Sequence, residues 1–274
     1  MKMKAERKLK NLPIALTIAG SDSGGGAGVQ ADLKTFTALR IHGATAITCI
    51  TAQNPRGVTG IQAIRADMVR QQIEAVFAEL KPVAVKTGML FSTEIINTVV
   101  DFFAAGRRPA LVVDPVMVAT SGAVLLKPSA IRALKQRLLP LATLVTPNLD
   151  EAELLVGRKL HSLAEVRDAA REIHARFGCA ALVKGGHLRS ERDAVDIFFD
   201  GRALTELRAR RVRGVSTHGT GCTYSAAIAA GLARGQTLPR AVAAAKEFIT
   251  VAIRNSYSAA GHCVLNQDAA RKII

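Results

Sequence analysis

The residues best suited to chemistry in this chain are a glycine turn and a thiol, Gly219 to Cys222, which precede an alanine-rich stretch ending at Ala230. The alanines favour a helix, whose first backbone N–H groups have no partner within it and lie at the positive end of its dipole. Such a terminus suits a phosphate, and we expect it to lower the pKa of the Cys222 thiol toward neutrality. The neighbouring His218 is more often a packing residue than a proton carrier. The stretch indicates phosphoryl transfer, although a plain glycine turn before a buried helix fits these residues about equally well.

Short aliphatic runs alternate with helical patterns along the chain, without a repeat or a linker. We predict strands over 14–19, 44–50, 84–87, 111–114, 144–146 and 181–184, and a hairpin of 194–199 and 205–210. Besides the helix after Gly219, we predict helices over 29–39, 68–80, 93–103, 129–139, 148–156, 163–177 and 239–256, the third capped by Thr93. This order predicts an α/β fold in which helices cover both faces of a doubly wound, mostly parallel sheet. It forms a single domain over 13–274, after a basic flexible tail at 1–12.

Ligands bind such sheets at the carboxyl ends of the strands, so the polar residues that follow strands carry most weight. The first is a glycine-rich loop over 20–28, which contains the carboxylate of Asp22. It lacks the Gly-Lys-Ser/Thr closure of a P-loop and the glycine spacing of a dinucleotide site. The loop is therefore either a tight turn or the floor of a small-ligand pocket, and we favour the pocket.

Four further strand ends carry polar residues, each with a structural and a functional interpretation. Asn148 followed by Glu151 matches a capping box, which is the commoner case, and the same pair would suit a hydrated Mg²⁺. Asp114 is a strand-end acceptor or a carboxylate near that metal. Lys184 is an unfavourable core residue but a good phosphate ligand. Gln53 offers a donor and an acceptor to the edge of a heteroaromatic ring, although an exposed glutamine in a loop is commoner.

Composition and charge restrict the class of protein. Hydrophobic residues make up 49% of the 274 residues and aromatic residues only 4%, so aliphatic side chains must fill the core. The net charge of +15 invites a nucleic-acid partner, but it is divided between the tail and an arginine cluster at 208–213 without interleaved aromatic residues. We expect small-molecule partners and no nucleic acid. The four cysteines show no metal spacing, and no signal peptide or membrane span is apparent, which predicts a reduced, cytoplasmic setting.

Seven segments share a recognisable pattern: 19–36, 52–54, 86–89, 113–117, 146–151, 183–187 and 217–222. Together they closely resemble the hydroxymethylpyrimidine/phosphomethylpyrimidine kinases of thiamine biosynthesis, a branch of the ribokinase-like superfamily. The resemblance implies an enzyme that uses ATP and Mg²⁺ to phosphorylate 4-amino-5-hydroxymethyl-2-methylpyrimidine and then its monophosphate. It also implies a homodimer without a membrane partner.

The resemblance implies site residues of two kinds. For the substrate, Gln53 would bind the aminopyrimidine in a pocket formed with Gly20, Asp32 and Met89. For phosphoryl transfer, the implied residues are Asn148 and Glu151 for Mg²⁺–ATP, Asp114 and Thr220 for the nucleotide, Lys184 for the phosphates, and Gly219 and Gly221 for the anion hole. Cys222, which stands where most ribokinase relatives have an aspartate, would be the catalytic base.

Two other functions compete with this interpretation. A pyridoxal/pyridoxine kinase would share the scaffold and the anion hole, but Gln53, Met89 and the glycine-rich opening favour the aminopyrimidine. The alternative from outside the enzymes is a non-catalytic basic protein that binds nucleic acid or a pyrimidine. The residues at every expected catalytic position argue against it. Two departures from the family pattern are Pro55, where a threonine is usual, and the segment 261–266, which lacks the expected glycine-rich ending.

Overall fold

The computed structural model describes residues 11–106, 109–117, 126–186, 188, 191–212, 214–215 and 218–271. Its strands are β1 Ile14–Asp22, β2 His42–Asn54, β3 Gly57–Ala63, β4 Ala84–Thr87, β5 Ala110–Val113, β6 Leu144–Val145, β7 Ala180–Val183, β8 Asp193–Phe199, β9 Leu204–Arg210, β10 Tyr257–Ala259 and β11 His262–Val264. Its helices are α1 Gly28–Ala38, α2 Ala66–Glu79, α3 Thr93–Ala104, α4 Pro128–Ala133, α5 Leu149–Val156, α6 Leu163–Phe177, α7 Thr220–Ala233 and α8 Leu238–Arg254.

Nine strands form one sheet in the order β3-β2-β1-β4-β5-β6-β7-β8-β9. The central strands, from β2 to β7 in that order, are parallel, while β3, β8 and β9 pair antiparallel at the two edges. Aliphatic residues alternate between the two faces of the buried strands, as in β1, where Leu16 and Ile18 join one core cluster and Ala15 the other. The predicted fold class is confirmed.

Helices cover both faces of the sheet. Buried residues of α2 to α6 pack in the first cluster, and those of α1, α7 and α8 pack in the second. The α7 surface toward the sheet is built mainly of alanines, Ala226, Ala227, Ala229 and Ala230. Their small side chains let the helix lie close to the strand ends, which brings its first turn to the carboxyl edge of the sheet.

Most predicted elements are confirmed within a few residues, but the structure differs from the predictions in four places. The helix predicted over 129–139 is α4 followed by a π-helical turn, Leu134–Leu138, and a 3₁₀ turn, Leu139–Leu141. The prediction missed β3, whose glycines weaken its strand pattern, and the small hairpin of β10 and β11. The cap of α3 is Ser92 rather than Thr93, because the Ser92 Oγ accepts from the Ile95 N–H at 3.3 Å.

The predicted tail lies almost entirely outside the described residues, which begin at Asn11. Within the described part of the chain, every helix is too short or too polar to cross a membrane.

The cap of α3 offers a direct test of this local structure. Ser92→Ala removes the side-chain acceptor at the helix start and is expected to lower the free energy of unfolding by about 1 kcal/mol. Thr93→Ala is the matched control, since Thr93 contacts only the exposed Ser129 hydroxyl through its side-chain oxygen and should cost less. Chemical denaturation measures the free energy of unfolding of both variants. A larger loss of stability in Thr93→Ala than in Ser92→Ala would contradict the assignment of Ser92 as the cap of α3.

Candidate active site

A large cavity of about 1330 Å³ opens at the carboxyl ends of the parallel strands. It lies where the strand order reverses, with β2 and β4 on either side of β1, which is the usual ligand site of such sheets. All predicted site residues except Asp32 line this cavity: Gly20, Gln53, Met89, Asp114, Asn148, Glu151, Lys184, Gly219, Thr220, Gly221 and Cys222.

The glycine-rich loop between β1 and α1 is organised by the Asp22 carboxylate. One Asp22 oxygen accepts from the Gly24 N–H at 2.8 Å, and the other accepts from the N–H groups of Gly26 and Ala27 at 3.0 and 2.8 Å. Burial opposes the charge, but these hydrogen bonds and the nearby His218 lower the pKa of Asp22. The Nε2 atom of His218 lies 3.2 Å from Asp22 Oδ2. Asp22 therefore holds the loop and connects it to the segment before α7.

The first turn of α7 packs directly on this loop. Gly219, the N-cap of α7, has a φ of +78°, and a Cβ added to it would overlap the Gly26 carbonyl oxygen. Gly219 has no side chain that could cap the helix, and the first N–H groups of a helix have no partner within the helix itself. Thr220, Gly221 and Cys222 line the cavity, so the residues predicted to form an anion site lie at the carboxyl edge of the sheet.

The Cys222 thiol does not have the pKa that the sequence predicted. Its side chain is half-buried in the cavity wall, and withdrawal from water raises the pKa of the thiol to about 11. The charge of Lys86 and the N–H of Gly28, which donates to the sulfur, lower the pKa, while Asp32 and Asp114 raise it. The prediction of a near-neutral pKa was wrong because it considered only the helix terminus and ignored burial and two carboxylates.

Lys184 and Asp114 form a buried ion pair at the cavity wall. The Lys184 Nζ donates to Asp114 Oδ1 at 3.1 Å, and Asp114 also accepts from the Thr146 and Ser225 hydroxyls, both at 3.3 Å. Burial favours the neutral amine, but the negative charges of Asp114 and Glu151 outweigh it and raise the pKa of Lys184. A Cβ at Gly221 would lie 3.2 Å from the Lys184 Nζ, so this cation sits beside the first turn of α7.

Asn148 and Glu151 form the capping box that the sequence favoured. The Asn148 Oδ1 accepts from the Glu151 N–H, and Glu151 Oε2 accepts from the Asn148 N–H, both at 2.9 Å. The other Glu151 oxygen accepts from the Met117 N–H at 3.1 Å. The pKa of Glu151 is raised to about 7, chiefly by burial. The negative charge of Asp114 also raises this pKa, while the positive charge of Lys184 opposes the shift.

The same residues also fit a hydrated Mg²⁺. Each Glu151 oxygen accepts one backbone hydrogen bond and keeps acceptor capacity toward the cavity. Among the described residues no group of three or more His, Cys, Asp or Glu side chains is arranged for a metal. An ion held by Asn148 and Glu151 would therefore keep several waters and bind mainly through substrate phosphates.

Gln53, Gly20 and Met89 form a smaller end of the cavity. The Gln53 Oε1 accepts from the Thr51 hydroxyl at 3.2 Å, and its Nε2 lies 3.4 Å from the His218 Nε2. A Cβ at Gly20 would lie 2.7 Å from the Cys49 sulfur and 3.4 Å from the Met89 methyl group. A side chain at position 20 would therefore collide with Cys49, so the close packing here requires glycine, and the Gln53 amide lines the same cavity.

Comparison with known proteins identifies the family. A sequence model described as phosphomethylpyrimidine kinase matches residues 22–266. The chain belongs to the phosphomethylpyrimidine kinase family. It is 54% identical over 241 residues to a hydroxymethylpyrimidine/phosphomethylpyrimidine kinase of Rhizobium meliloti, covering 88% of this chain and 90% of that protein. Like its curated relatives, the chain is a phosphotransferase of thiamine biosynthesis.

Solved structures place this kinase in the ribokinase-like fold. An ADP complex of Bacillus subtilis pyridoxal kinase superposes with a TM-score of 0.89 at 38% identity, covering 95% of this chain and 99% of that one. A Clostridium difficile phosphomethylpyrimidine kinase superposes with a TM-score of 0.78 at 43% identity, covering 86% and 97%.

Asp32 does not line the cavity of this kinase, contrary to the expectation for a pocket residue. Its side chain is fully buried, and its carboxylate pairs with Lys86 at 2.8 Å and accepts from the Thr17 hydroxyl at 2.6 Å. The sequence analysis missed Lys86 as a candidate. The signal was present, because Lys86, like Lys184, is a cation within a buried aliphatic strand.

A second missed pair lies at the opposite end of the cavity. The Lys246 Nζ of α8 donates to Asp196 Oδ2 at 2.7 Å and to the Ala194 carbonyl at 3.0 Å, and Asp196 accepts from the Gly185 N–H. In the sequence, Lys246 resembles a solvated helix residue. Only its packing against β8 shows that it is buried.

The atypical closing segment contacts the kinase away from the cavity. The last residue of the described chain that lines the cavity is Ile253. Beyond it, Leu265 and Ala270 are buried, and Gln267 donates to the Thr223 hydroxyl at 3.2 Å. The segment thus supports the back of α7.

The contact between Gly219 and the glycine-rich loop predicts a selective loss of activity. Gly219→Ala should displace the first turn of α7 and lower turnover by about a hundredfold. Gly235→Ala is the matched control, because Gly235 has a φ of +79° with no atom near its added Cβ. It should cost about 1–2 kcal/mol of stability but keep turnover. Equal losses of turnover in the two variants would show that backbone strain, rather than this contact, matters.

Proposed function

We propose that this kinase transfers the γ-phosphoryl group of ATP to the hydroxymethyl group of the aminopyrimidine, and then a second one to the resulting monophosphate. The observation that carries the proposal is that both groups of predicted residues line the same cavity. A glycine-lined end with an amide, at Gly20 and Gln53, adjoins an anion site with a thiol, at Gly219 to Cys222. A ring bound at the first end directs its hydroxymethyl group toward the second.

The phosphate end combines positive charge with backbone donors. Lys184 would neutralise the transferred phosphoryl group, with Asp114 holding the lysine, while the N–H groups of Gly219, Thr220 and Gly221 would bind its oxygens. Phosphoryl transfer depends mainly on such positioning and charge stabilisation. Asn148 and Glu151 would hold a hydrated Mg²⁺, which when bound supplies positive charge to the nucleotide phosphates.

Cys222 is proposed as the acceptor of the substrate hydroxyl proton because of its position between the two ends of the cavity. With a pKa of about 11, its thiolate is a minor species at neutral pH, and its population rises tenfold per pH unit. Since the transition state of phosphoryl transfer is loose, the proton leaves late in the reaction. A base present in a small fraction is then compatible with slow turnover.

We also propose that the enzyme is a cytoplasmic homodimer. All four cysteines are free thiols, which fits a reducing compartment. Exposed Val58 and Ile61 lie on the edge strand β3, where a second subunit would cover both apolar side chains and unpaired backbone.

The substrate is tested by ATP consumption with Mg²⁺ and each of three acceptors. We expect turnover with hydroxymethylpyrimidine and with its monophosphate. Pyridoxal is the informative third acceptor, because pyridoxal kinases share this fold at 38% identity. Turnover with pyridoxal alone would assign the ring end of the cavity to a different substrate. Absence of turnover with all three would remove the proposal.

The role of Cys222 is tested by its alanine variant. Cys222→Ala should still bind ATP but lose turnover by about 10²- to 10⁴-fold. The wild type should gain turnover as pH rises from about 8 to 9.5, because the active thiolate form increases below its pKa, and the variant should lose that rise. Cys263→Ser, a half-buried cysteine outside the cavity, is the control. Normal turnover in Cys222→Ala would exclude the thiol from the mechanism.

A further inference from the structure

A fully buried ion pair lies between β4 and α1, with Lys86 at the cavity wall and Asp32 behind it. The Lys86 ammonium donates to both oxygens of the Asp32 carboxylate, at 3.0 and 2.8 Å. Neither side chain is accessible to water. The Thr17 hydroxyl of β1 donates to the same carboxylate at 2.6 Å. Three neighbouring elements therefore hold the ammonium in one place.

The position of the ammonium relates it to the cavity. A Cβ added to Gly88 would lie 2.9 Å from the Lys86 Nζ, and Gly88 lines the cavity. Helix α7 packs on β4, which brings Cys222 to the same wall. Lys86 and Cys222 therefore line the same cavity wall, and the charge of Lys86, which is withdrawn from water, acts on the Cys222 thiol with little screening.

Charged groups face the Cys222 thiol from every neighbouring element. Lys86 approaches from β4 and Lys184 from the end of β7, while Asp32 approaches from α1 and Asp114 from the end of β5. The Gly28 N–H at the start of α1 donates to the sulfur. Of the groups that lower the pKa of the thiol, Lys86 has the largest effect.

We propose that Lys86, held by Asp32, is a positioning residue that favours the thiolate form of Cys222. In the reaction, the substrate hydroxyl oxygen bonds to the γ-phosphorus, its proton passes to the Cys222 sulfur, and the bond from phosphorus to the bridging oxygen of ADP breaks. The inference rests on the role proposed for Cys222. It adds that the charge favouring this proton acceptor comes mainly from a buried lysine that is paired with Asp32.

The thiol itself provides the test, without any substrate. We would measure the rate of alkylation of Cys222 by iodoacetamide in the full-length protein, quantified on the Cys222 peptide, across about pH 7 to 9.5, where the rate follows the thiolate fraction. Lys86→Met should raise the pKa of the thiol by about one unit and slow alkylation about tenfold at each pH. Thr17→Val is the control, since it removes a hydrogen bond from the cluster and leaves both charges; its alkylation rate should match the wild type.

A second variant covers the case in which Lys86→Met leaves a buried aspartate and fails to fold. Lys86→Met combined with Asp32→Asn removes both charges and keeps an acceptor for Thr17. It should fold and still alkylate several-fold more slowly than the wild type. An alkylation rate equal to or faster than that of the wild type in the folded variant would contradict the proposal. So would an equal slowing in Thr17→Val. Either result would show that Lys86 has only a structural role. Because alkylation reports the thiol alone, this outcome is distinct from normal turnover in Cys222→Ala, which would instead remove Cys222 from the reaction.

Discussion

Three lysine ammonium groups are buried around the cavity, and an aspartate compensates each of them. The pairs are Lys86 with Asp32, Lys184 with Asp114, and Lys246 with Asp196. An unpaired charge in such places would cost several kcal/mol, so each pair requires its two elements to meet in one arrangement. The pairs connect α1 to β4, β5 to β7, and β8 to α8. The packing of these elements at the carboxyl edge of the sheet therefore fixes where the charged side chains of the site lie.

The first turn of α7 lies among these pairs and depends on glycine for its position. Gly219 adopts a left-handed conformation that brings the turn against the Gly26 carbonyl, and the alanine face of α7 lets it lie on the strands. The turn brings the N-terminus of a helix beside the Lys184 cation. The proposed phosphate site would therefore use the backbone as well as a side chain.

The ionisation of Cys222 is a balance between opposing effects of similar origin. Burial disfavours the thiolate, and the same burial strengthens the influence of each nearby charge because water no longer screens it. The nearby lysines favour the thiolate and the aspartates that neutralise them oppose it, so the net effect of each pair depends on which partner lies nearer the sulfur. The value of about 11 records that burial prevails in this arrangement.

The sequence by itself determined the features that depend on local chemistry. Aliphatic runs ending in polar residues indicated the parallel strands, and all but one of the site residues predicted from the sequence line the cavity. The spacing of Asn148 and Glu151 indicated the capping box. What depends on distant groups was decided only by the tertiary structure. It placed Asp32 behind the wall, added β3 to the sheet edge, and buried Lys86 beneath Cys222. A pKa or a contact in the interior is set by whichever residues the fold brings within a few ångströms, and these come from elements far apart along the chain.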